Sequence, residues 1–395
     1  MKILLVQDRL RGGGTERQTA FLAGAFAARG HRVSLLTFRP GGALDTEIES
    51  GGVTRRSLQP FDTGLDWFAP GLASAARSAW PDIVLCMGRM ANCRAAQLQR
   101  ALPGAAVVAT VRTGKPLPWL YRRGLRTARH VIANSEFARR ILVAPEHAAD
   151  RCTVIPNALL HAALLEIPPS SDIHPPSTGH SPRFTDNSPP PPGLGRAHSS
   201  FSIQPSAVSL RPPVLLCVAQ FRPEKNQREL LDIVATLPAQ IAWRLTFVGD
   251  GPTRPACERH AAALGLGGRV TFEGWQADPA PHYRSAAIAV LTSQRESLPN
   301  FLVEAQCAGL PVVTYEVGGA AECFHDGITG YLIPSGDRAR FAAALTELLD
   351  QPQRRASMAA AAQAWARERF SPERQVEAHL ALFAQLIGCP AATKR

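Results

Sequence analysis

Two cations in one loop are the first residues able to do chemistry. The stretch "VAQFRPEKN" (218–226) follows an aliphatic run and places Arg222 and Lys225 three positions apart. Cations at the carboxyl end of a parallel strand suit a diphosphate. A solvated loop carrying ordinary charges has the same composition, so the pair needs support. It comes from "ESLPNFLVEAQCAGLPVV" (296–313). Pro299 or Asn300 opens a helix that Gly309 closes, with Pro311 beyond it. The amides near Leu298 and Asn300 belong to a positive helix terminus, which attracts phosphate; Pro299 itself brings no N–H. Glu296 lies in the loop before that helix and Glu304 in its early turns. Two carboxylates flanking such a terminus can hold hydroxyls at two ends of one ligand; a capped helix with exposed acids is the simpler alternative.

A third stretch stands near the start. "RGGGTERQTA" (11–20) follows the strand-like "KILLVQ". It reads as a nucleotide loop, a substrate loop or a plain turn. It is not G-x-x-x-x-G-K-[ST], which excludes a P-loop, and it lacks G-x-G-x-x-G with a ribose acid. Gly13 and Gly14 have no Cβ, so their amides can come close to a phosphate, and a helix from about Thr15 would add its positive terminus.

These residues need a frame. Aliphatic runs such as "KILLVQ", "RVSLLTF", "DIVLCMG", "AVVATVR", "HVIANS" and "CTVIPN" alternate with alanine-rich runs in the first half. "PVLLCVAQ", "WRLTFVGD", "RVTFEGW", "IAVLTS", "PVVTYEV" and "GYLIP" do so in the second. Continuous apolar strands between amphipathic helices predict parallel sheets covered on both faces. The fold class is therefore α/β, as two doubly wound domains over residues 1–163 and 213–370. Residues 164–212 separate them; 165–213 hold 12 Pro and 10 Ser among 49 residues, which predicts a linker without a packed core. No repeat of 20–50 residues is visible. Ser371 and Pro372 open a last helix, 371–388, with Val376, Leu380, Leu382, Phe383 and Leu386 on an apolar face expected to pack on the first domain.

Composition narrows the class of protein. No run of 18 apolar residues predicts a membrane span, and the basic N-terminus is too short for a secretory signal. Eight cysteines without C-x-x-C spacing suggest reduced thiols in a cytoplasmic protein, and no metal-ligand cluster is visible, so metal-independent chemistry is expected. The net charge of +11 lies wholly in the first half: residues 1–163 hold 22 Lys/Arg against 11 Asp/Glu, while the remainder holds 21 of each. That asymmetry suggests an anionic partner. In "PWLYRRGLRTARHV" (118–131), Arg122, Arg126 and Arg129 have the spacing of one helical face, flanked by Trp119 and Tyr121, which suits anionic lipid heads, a phosphorylated glycan or simply a solvated face. No nucleic-acid motif accompanies the charge.

The ordered set of stretches resembles the retaining glycosyltransferases of the GT-B "family 4" group. "GGGTE", "RGHRV", "VIPN", "FRPEKN", "VGDGP", "VTFEGW", Glu296 with Glu304 as E-x7-E, "GLPVVTYEVGGAAE" and "DGITGYLI" occur in the family's order over roughly residues 3–335. The resemblance implies a GT-B fold, two Rossmann-like domains facing across a cleft, with a nucleotide-sugar donor bound mainly by the second. Arg222 and Lys225 would neutralise the donor diphosphate, Glu304 would hold the ribose, Glu296 would contact the transferred sugar, and Gly274 and Trp275 would fall at the nucleobase pocket. Gly13, Gly14, Leu298 and Asn300 would complete the donor site. No cofactor is implied beyond the donor itself. The acceptor would be a surface glycan or lipid-linked molecule at the cytoplasmic side of a membrane. Two departures concern that side: many members carry a His at the end of the fifth strand, where Arg112 stands here, and the "NG" that usually follows "IP" is Asn157-Ala158. Arginine cannot serve as a base at neutral pH but can position an acceptor or an anionic group. A sugar-nucleotide epimerase or hydrolase and a non-catalytic sugar-nucleotide binder remain as alternatives.

Overall fold

The computed structural model describes residues 1–11, 13–42, 44–45, 48, 51–140, 149–160, 164 and 212–388. The linker expected over 164–212 lies almost wholly outside the described residues. Two all-parallel sheets form. The first contains β1 (Lys2–Gln7), β2 (Arg32–Thr37), β3 (Thr54–Ser57), β4 (Ile83–Cys86), β5 (Ala106–Val111), β6 (His130–Ala133) and β7 (Cys152–Val154) in the order β3-β2-β1-β4-β5-β6-β7. The second contains β8 (Val214–Val218), β9 (Arg244–Val248), β10 (Val270–Phe272), β11 (Ile288–Leu291), β12 (Val312–Tyr315) and β13 (Gly330–Ile333) in the order β10-β9-β8-β11-β12-β13. In each sheet the order reverses beside the first strand, between β1 and β4 and between β8 and β11. Loops leaving neighbouring strands in opposite directions open a crevice there, at the carboxyl ends.

Burial explains why the apolar runs become strands. β4, β5, β6, β11 and β12 are buried along their whole length, which only a sheet covered on both faces allows. β3, "TRRS", escapes the sequence criterion because it is an edge strand in which exposed and half-buried residues alternate.

The last helix, Pro372–Gly388, packs on the first domain. Val376, Leu382 and Phe383 share a core with Ile3, Leu5 and Phe26, and Leu380 and Leu386 lie against it. Ser371 Oγ accepts the Arg374 N–H at 3.3 Å as an N-terminal cap. The helix Trp119–Thr127 stops sooner than the arginine spacing predicts. Ala128 is already extended, so Arg129 lies beyond the helix and does not share its face with Arg122 and Arg126. The residue passes instead into the sheet, its N–H bonded to the Val107 carbonyl at 2.8 Å.

One polar residue sits inside the last helix's core. His379 is fully covered between Phe26 and Phe383, with Nδ1 on the Gln375 carbonyl at 2.7 Å and Nε2 without a partner. Burial disfavours the imidazolium and pulls its pKa from 6.5 to about 3. The unfolded chain therefore takes up a proton that the folded chain refuses. Stability is undiminished above about pH 6.5 and falls as pH drops below it, by up to about 1.4 kcal/mol per pH unit. Asp8, whose buried carboxyl is raised to about 6, works in the opposite sense below that pH. The His379 contribution is isolated by comparison with His379→Leu. Between pH 7.5 and 5 the wild-type protein should lose about 2 kcal/mol more stability than the variant in urea titrations. Parallel pH profiles would show that His379 does not stay neutral.

Candidate active site

The carboxyl ends of the two sheets face each other across a cleft of about 480 Å³. From the second domain, the loop after β8 turns through Pro223–Lys225 and ends at Asn226, whose φ of 51° is left-handed. This turn brings Lys225 back toward the loop after β11, where its Nζ donates to Glu296 Oε1 at 2.6 Å. Glu296 is only 9% exposed, so the pair is shielded on the acid's side. Arg222 stands exposed on the same turn and also lines the cleft. Between them, Glu224 binds Lys115 of the first domain at 2.9 Å, and that cation holds its carboxyl below the usual range.

The helix Asn300–Cys307 starts where its sequence predicts, with Pro299 as its cap residue and Gly309 left-handed just past its end. Leu298 and Asn300 line the cleft at its N-terminus. Glu304, one turn on, accepts the Tyr283 hydroxyl at 2.5 Å. Burial, then the charge and hydrogen bond of Glu304, push the Tyr283 pKa well above its usual value, so it remains a donor and fixes the carboxylate.

The first domain meets this helix closely. Its helix begins at Gly14 after Gly13, whose N–H donates to Glu16 Oε2 at 3.0 Å, so that the Glu16 side chain reaches back over the first turn. A Cβ at Gly14 would lie 2.7 Å from Asn300 Nδ2. The glycine thus admits a side chain of the opposite domain, which the sequence reading, concerned with phosphate, does not anticipate. Asn300 is engaged a second time: its Oδ1 accepts from Asn157 Nδ2 at 2.7 Å, while Asn157 Oδ1 accepts from Arg112 Nη1 at 2.5 Å. Gln375 of the last helix steadies Asn157 from behind, donating to the Pro156 carbonyl at 2.8 Å and to Gln18, which in turn donates to the Ala158 carbonyl. Arg112 follows β5. Burial with no carboxylate at hand lowers its pKa to about 10, so it is still a cation at neutral pH.

Further bonds join the two halves deeper in. Ser297 Oγ donates to Asn134 Oδ1 at 2.7 Å, and Glu322 accepts the Glu136 and Phe137 amides at 2.7 and 2.9 Å. Gly114 lies on the Glu296 backbone so tightly that a Cβ would sit 2.5 Å from its carbonyl oxygen.

Of the residues singled out from sequence, Gly13, Gly14, Arg112, Arg222, Lys225, Trp275, Glu296, Leu298, Asn300 and Glu304 all line this cleft. Gly274 does not. Its φ of +74° and its carbonyl bond to the Gly249 N–H at 2.7 Å shape the turn that presents Trp275, itself 66% exposed. Sequence reading assigned no site role to Gly114, Lys115, Asn134, Asn157 or Tyr283, with Asn157 noted only as the end of "VIPN" and as a departure from the family pattern. Four of these follow strands β5, β6 and β7, and the rule that parallel sheets bind ligands at those ends would have found them. Among the described residues, no group of His, Cys, Asp or Glu is placed to hold a metal ion.

The fit of Gly114 gives a test. Gly114→Ala forces its loop off Glu296 and draws Lys115 from Glu224. We expect a loss of about 1–3 kcal/mol, as for overpacking elsewhere, and a larger radius of gyration in solution scattering. An unchanged melting temperature and radius would mean that the loop yields without parting the domains.

Comparison with known proteins agrees with this architecture. Residues 12–159 match the Glycosyltransferase Family 4 model and residues 200–365 the Glycosyl transferases group 1 model. The lipopolysaccharide core biosynthesis glycosyltransferase LpsE of Rhizobium meliloti (strain 1021) is 32% identical over 172 residues, which are 44% of this chain and 50% of that protein. The Vi polysaccharide biosynthesis protein VipC/TviE of Salmonella typhi is 33% identical over 166 residues, 40% of this chain and 28% of that protein. The matches therefore span half or less of these relatives. The crystal structure of Anabaena Alr3699/HepE in complex with UDP-glucose has the same fold, with a TM-score of 0.74 at 22% identity over 98% of this chain and 100% of that one. Two sheets meeting at their carboxyl ends, and two matching family models that between them span most of residues 12–365, lead to one conclusion: this chain belongs to the GT-B, family 4/group 1 glycosyltransferases.

Proposed function

We propose that the protein is a retaining glycosyltransferase that moves a sugar from a nucleotide-diphosphate sugar to a hydroxyl of a surface-glycan or lipid-linked acceptor. The observation that carries this reading is the Lys225–Glu296 pair, set beside Arg222 and a helix N-terminus in an interdomain cleft. Breaking the sugar–phosphate bond leaves charge on the diphosphate. Arg222, Lys225 and the amides at Leu298 and Asn300 meet that charge, and such preorganised groups are where most of the rate enhancement arises. Glu296 holds Lys225 in the structure. A phosphate arriving at Nζ competes for the cation and leaves the carboxylate to bind a sugar hydroxyl. In this reading Glu304, fixed by Tyr283, takes the ribose and Trp275 the base. The cleft walls hold the acceptor hydroxyl near the reacting carbon. Neutralisation by side chains requires no metal in this scheme.

The relatives named for lipopolysaccharide core and Vi polysaccharide biosynthesis support a glycan acceptor, and the Anabaena complexes with UDP and UDP-glucose make UDP-sugars the first donors to test. The surface of the first domain supports a membrane location for that acceptor. Arg122, Arg123 and Arg126 are exposed on the helix Trp119–Thr127, and Arg123 stacks on Trp119 at 5.5 Å. Trp119 and Leu120 are 65% and 49% exposed. Aromatic and aliphatic groups beside guanidinium groups suit the headgroup layer of an anionic bilayer. Among the described residues no helix is long and apolar enough to cross a membrane, so this reading is one of surface attachment, at the cytoplasmic face.

Lys225→Ala should lower turnover of the donor by a factor on the order of 10² or more while the fold persists. Thermal shifts with UDP-, GDP- and ADP-sugars identify the donor, and steady-state rates measure the loss. Unchanged rates would remove Lys225 from the site. Donor consumed equally fast without acceptor would favour an epimerase or hydrolase.

The membrane reading has its own test. Replacing Arg122 and Arg126 by Gln should weaken sedimentation with anionic vesicles, each arginine contributing about 1 kcal/mol. Arg129→Gln, off the helix, should change little. Binding should fade as salt rises from 0.1 to 1 M, where the screening length shrinks from about 10 to about 3 Å. Equal sedimentation of wild type and double variant would reduce these arginines to ordinary surface charge.

A further inference from the structure

The cleft carries more positive charge than a donor diphosphate can neutralise. Its lining includes the cations Arg17, Arg112, Lys115, Arg222, Lys225 and Arg295 against the acids Glu224, Glu296 and Glu304, an excess of three. Each acid is engaged: Glu224 by Lys115, Glu296 by Lys225, Glu304 by Tyr283. A nucleoside diphosphate sugar brings about two negative charges at neutral pH. One cation's worth of charge is left over.

Of these six cations, Arg112 alone has covered guanidinium nitrogens without a hydrogen-bond partner. It follows β5 on the first-domain wall, whereas Arg222 and Lys225 belong to a turn of the second domain. Its Nη1 binds the neutral amide oxygen of Asn157. Its Nε and Nη2 are covered and have no hydrogen-bond partner. A guanidinium has five N–H donors arranged to take a carboxylate or phosphate in a fork. Structural arginines that are buried this way are normally paired with an acid, because an unpaired buried charge is strongly destabilising. Asn157 is held in turn through its Nδ2, which donates to Asn300 Oδ1. An anion at the cleft wall can replace Asn157 on Nη1, exchanging a neutral acceptor for a charge-assisted bond.

We propose that Arg112 recognises a second anionic group, a carboxylate or a phosphate, on the ligand bound at the first-domain side of the cleft. The inference rests on the donor reading above and adds a specificity to it. The anion has two possible carriers, the acceptor or the transferred sugar, and both present the same chemistry to the guanidinium.

Two binding arms separate the carriers, read by calorimetry at pH 8. In the first, UDP-glucuronate is compared with UDP-glucose. In the second, glucuronate and glucose 6-phosphate are compared with glucose on protein saturated with UDP, and again without nucleotide. We expect an anionic probe to bind wild type at least tenfold more tightly than its neutral counterpart in one arm. A preference in the first arm assigns the anion to the transferred sugar, and one in the second to the acceptor. Arg112→Gln should reduce the preference to within twofold. Should that variant not fold, Arg112→His, neutral at pH 8, is held to the same expectation. Failure of UDP to bind overturns the UDP-donor reading alone, because the nucleotide-free measurements still report on Arg112. Equal binding of anionic and neutral probes by wild type in both arms overturns the proposal, as does a variant that retains the preference.

Discussion

Two parallel sheets set carboxyl end to carboxyl end impose everything else on the cleft. At those ends strands give way to helices, and every helix starting there points its unbonded N–H groups inward. The helices that begin at Gly14 and Asn300 do so from opposite walls. The space between them is electropositive before any side chain is added. Arg222, Lys225 and Lys115 reinforce that sign, and the acids present are each tied to a specific donor. The buried Glu296 is tolerated because Lys225 meets it at hydrogen-bond distance, whereas an unpaired buried charge would be strongly destabilising.

The second constraint is closeness. The halves touch through groups that require small neighbours: Gly14 under the Asn300 amide, Gly114 on the Glu296 carbonyl. Around those contacts the polar bonds are short and specific, from Arg112 through Asn157 to Asn300, and from Ser297 to Asn134. Apolar packing stabilises each domain separately, but the register between the domains is carried by amides and carboxylates. Such bonds are each worth only about 1 kcal/mol net, and so can be exchanged for bonds to a ligand without unfolding either core.

Much of this was legible in the chain. Buried parallel strands announce themselves as aliphatic runs, and twelve of the thirteen did so; "TRRS" did not, because an edge strand with half its side chains in water has no reason to be apolar. The donor-side residues were visible because cations, acids and a helix start recur in a short stretch. The bonds between domains were not. Asn157 and Asn300 are 143 residues apart and Asn134 and Ser297 are 163 apart, and neither pair is chemically unusual in isolation. The arginine spacing of 122, 126 and 129 misled at its end, since periodicity counts residues but does not show where Ala128 leaves the helix. Gly274 was expected at the nucleobase pocket from the family resemblance, and its left-handed conformation shapes the turn that presents Trp275.

The last helix returns to the domain that the first strand began. Phe383 and His379 close over Phe26, and Gln375 bonds to Gln18, so the wall of the cleft around Asn157 is finished by residues more than two hundred positions downstream. During synthesis on the ribosome, the first sheet must therefore wait, with Phe26 and its neighbours unsealed, until the whole second domain has emerged. Domains generally fold as units in order of synthesis. Here the order is interrupted: the second domain can complete its core first, and a nascent chain halted before residue 372 would expose an apolar seam that chaperones recognise.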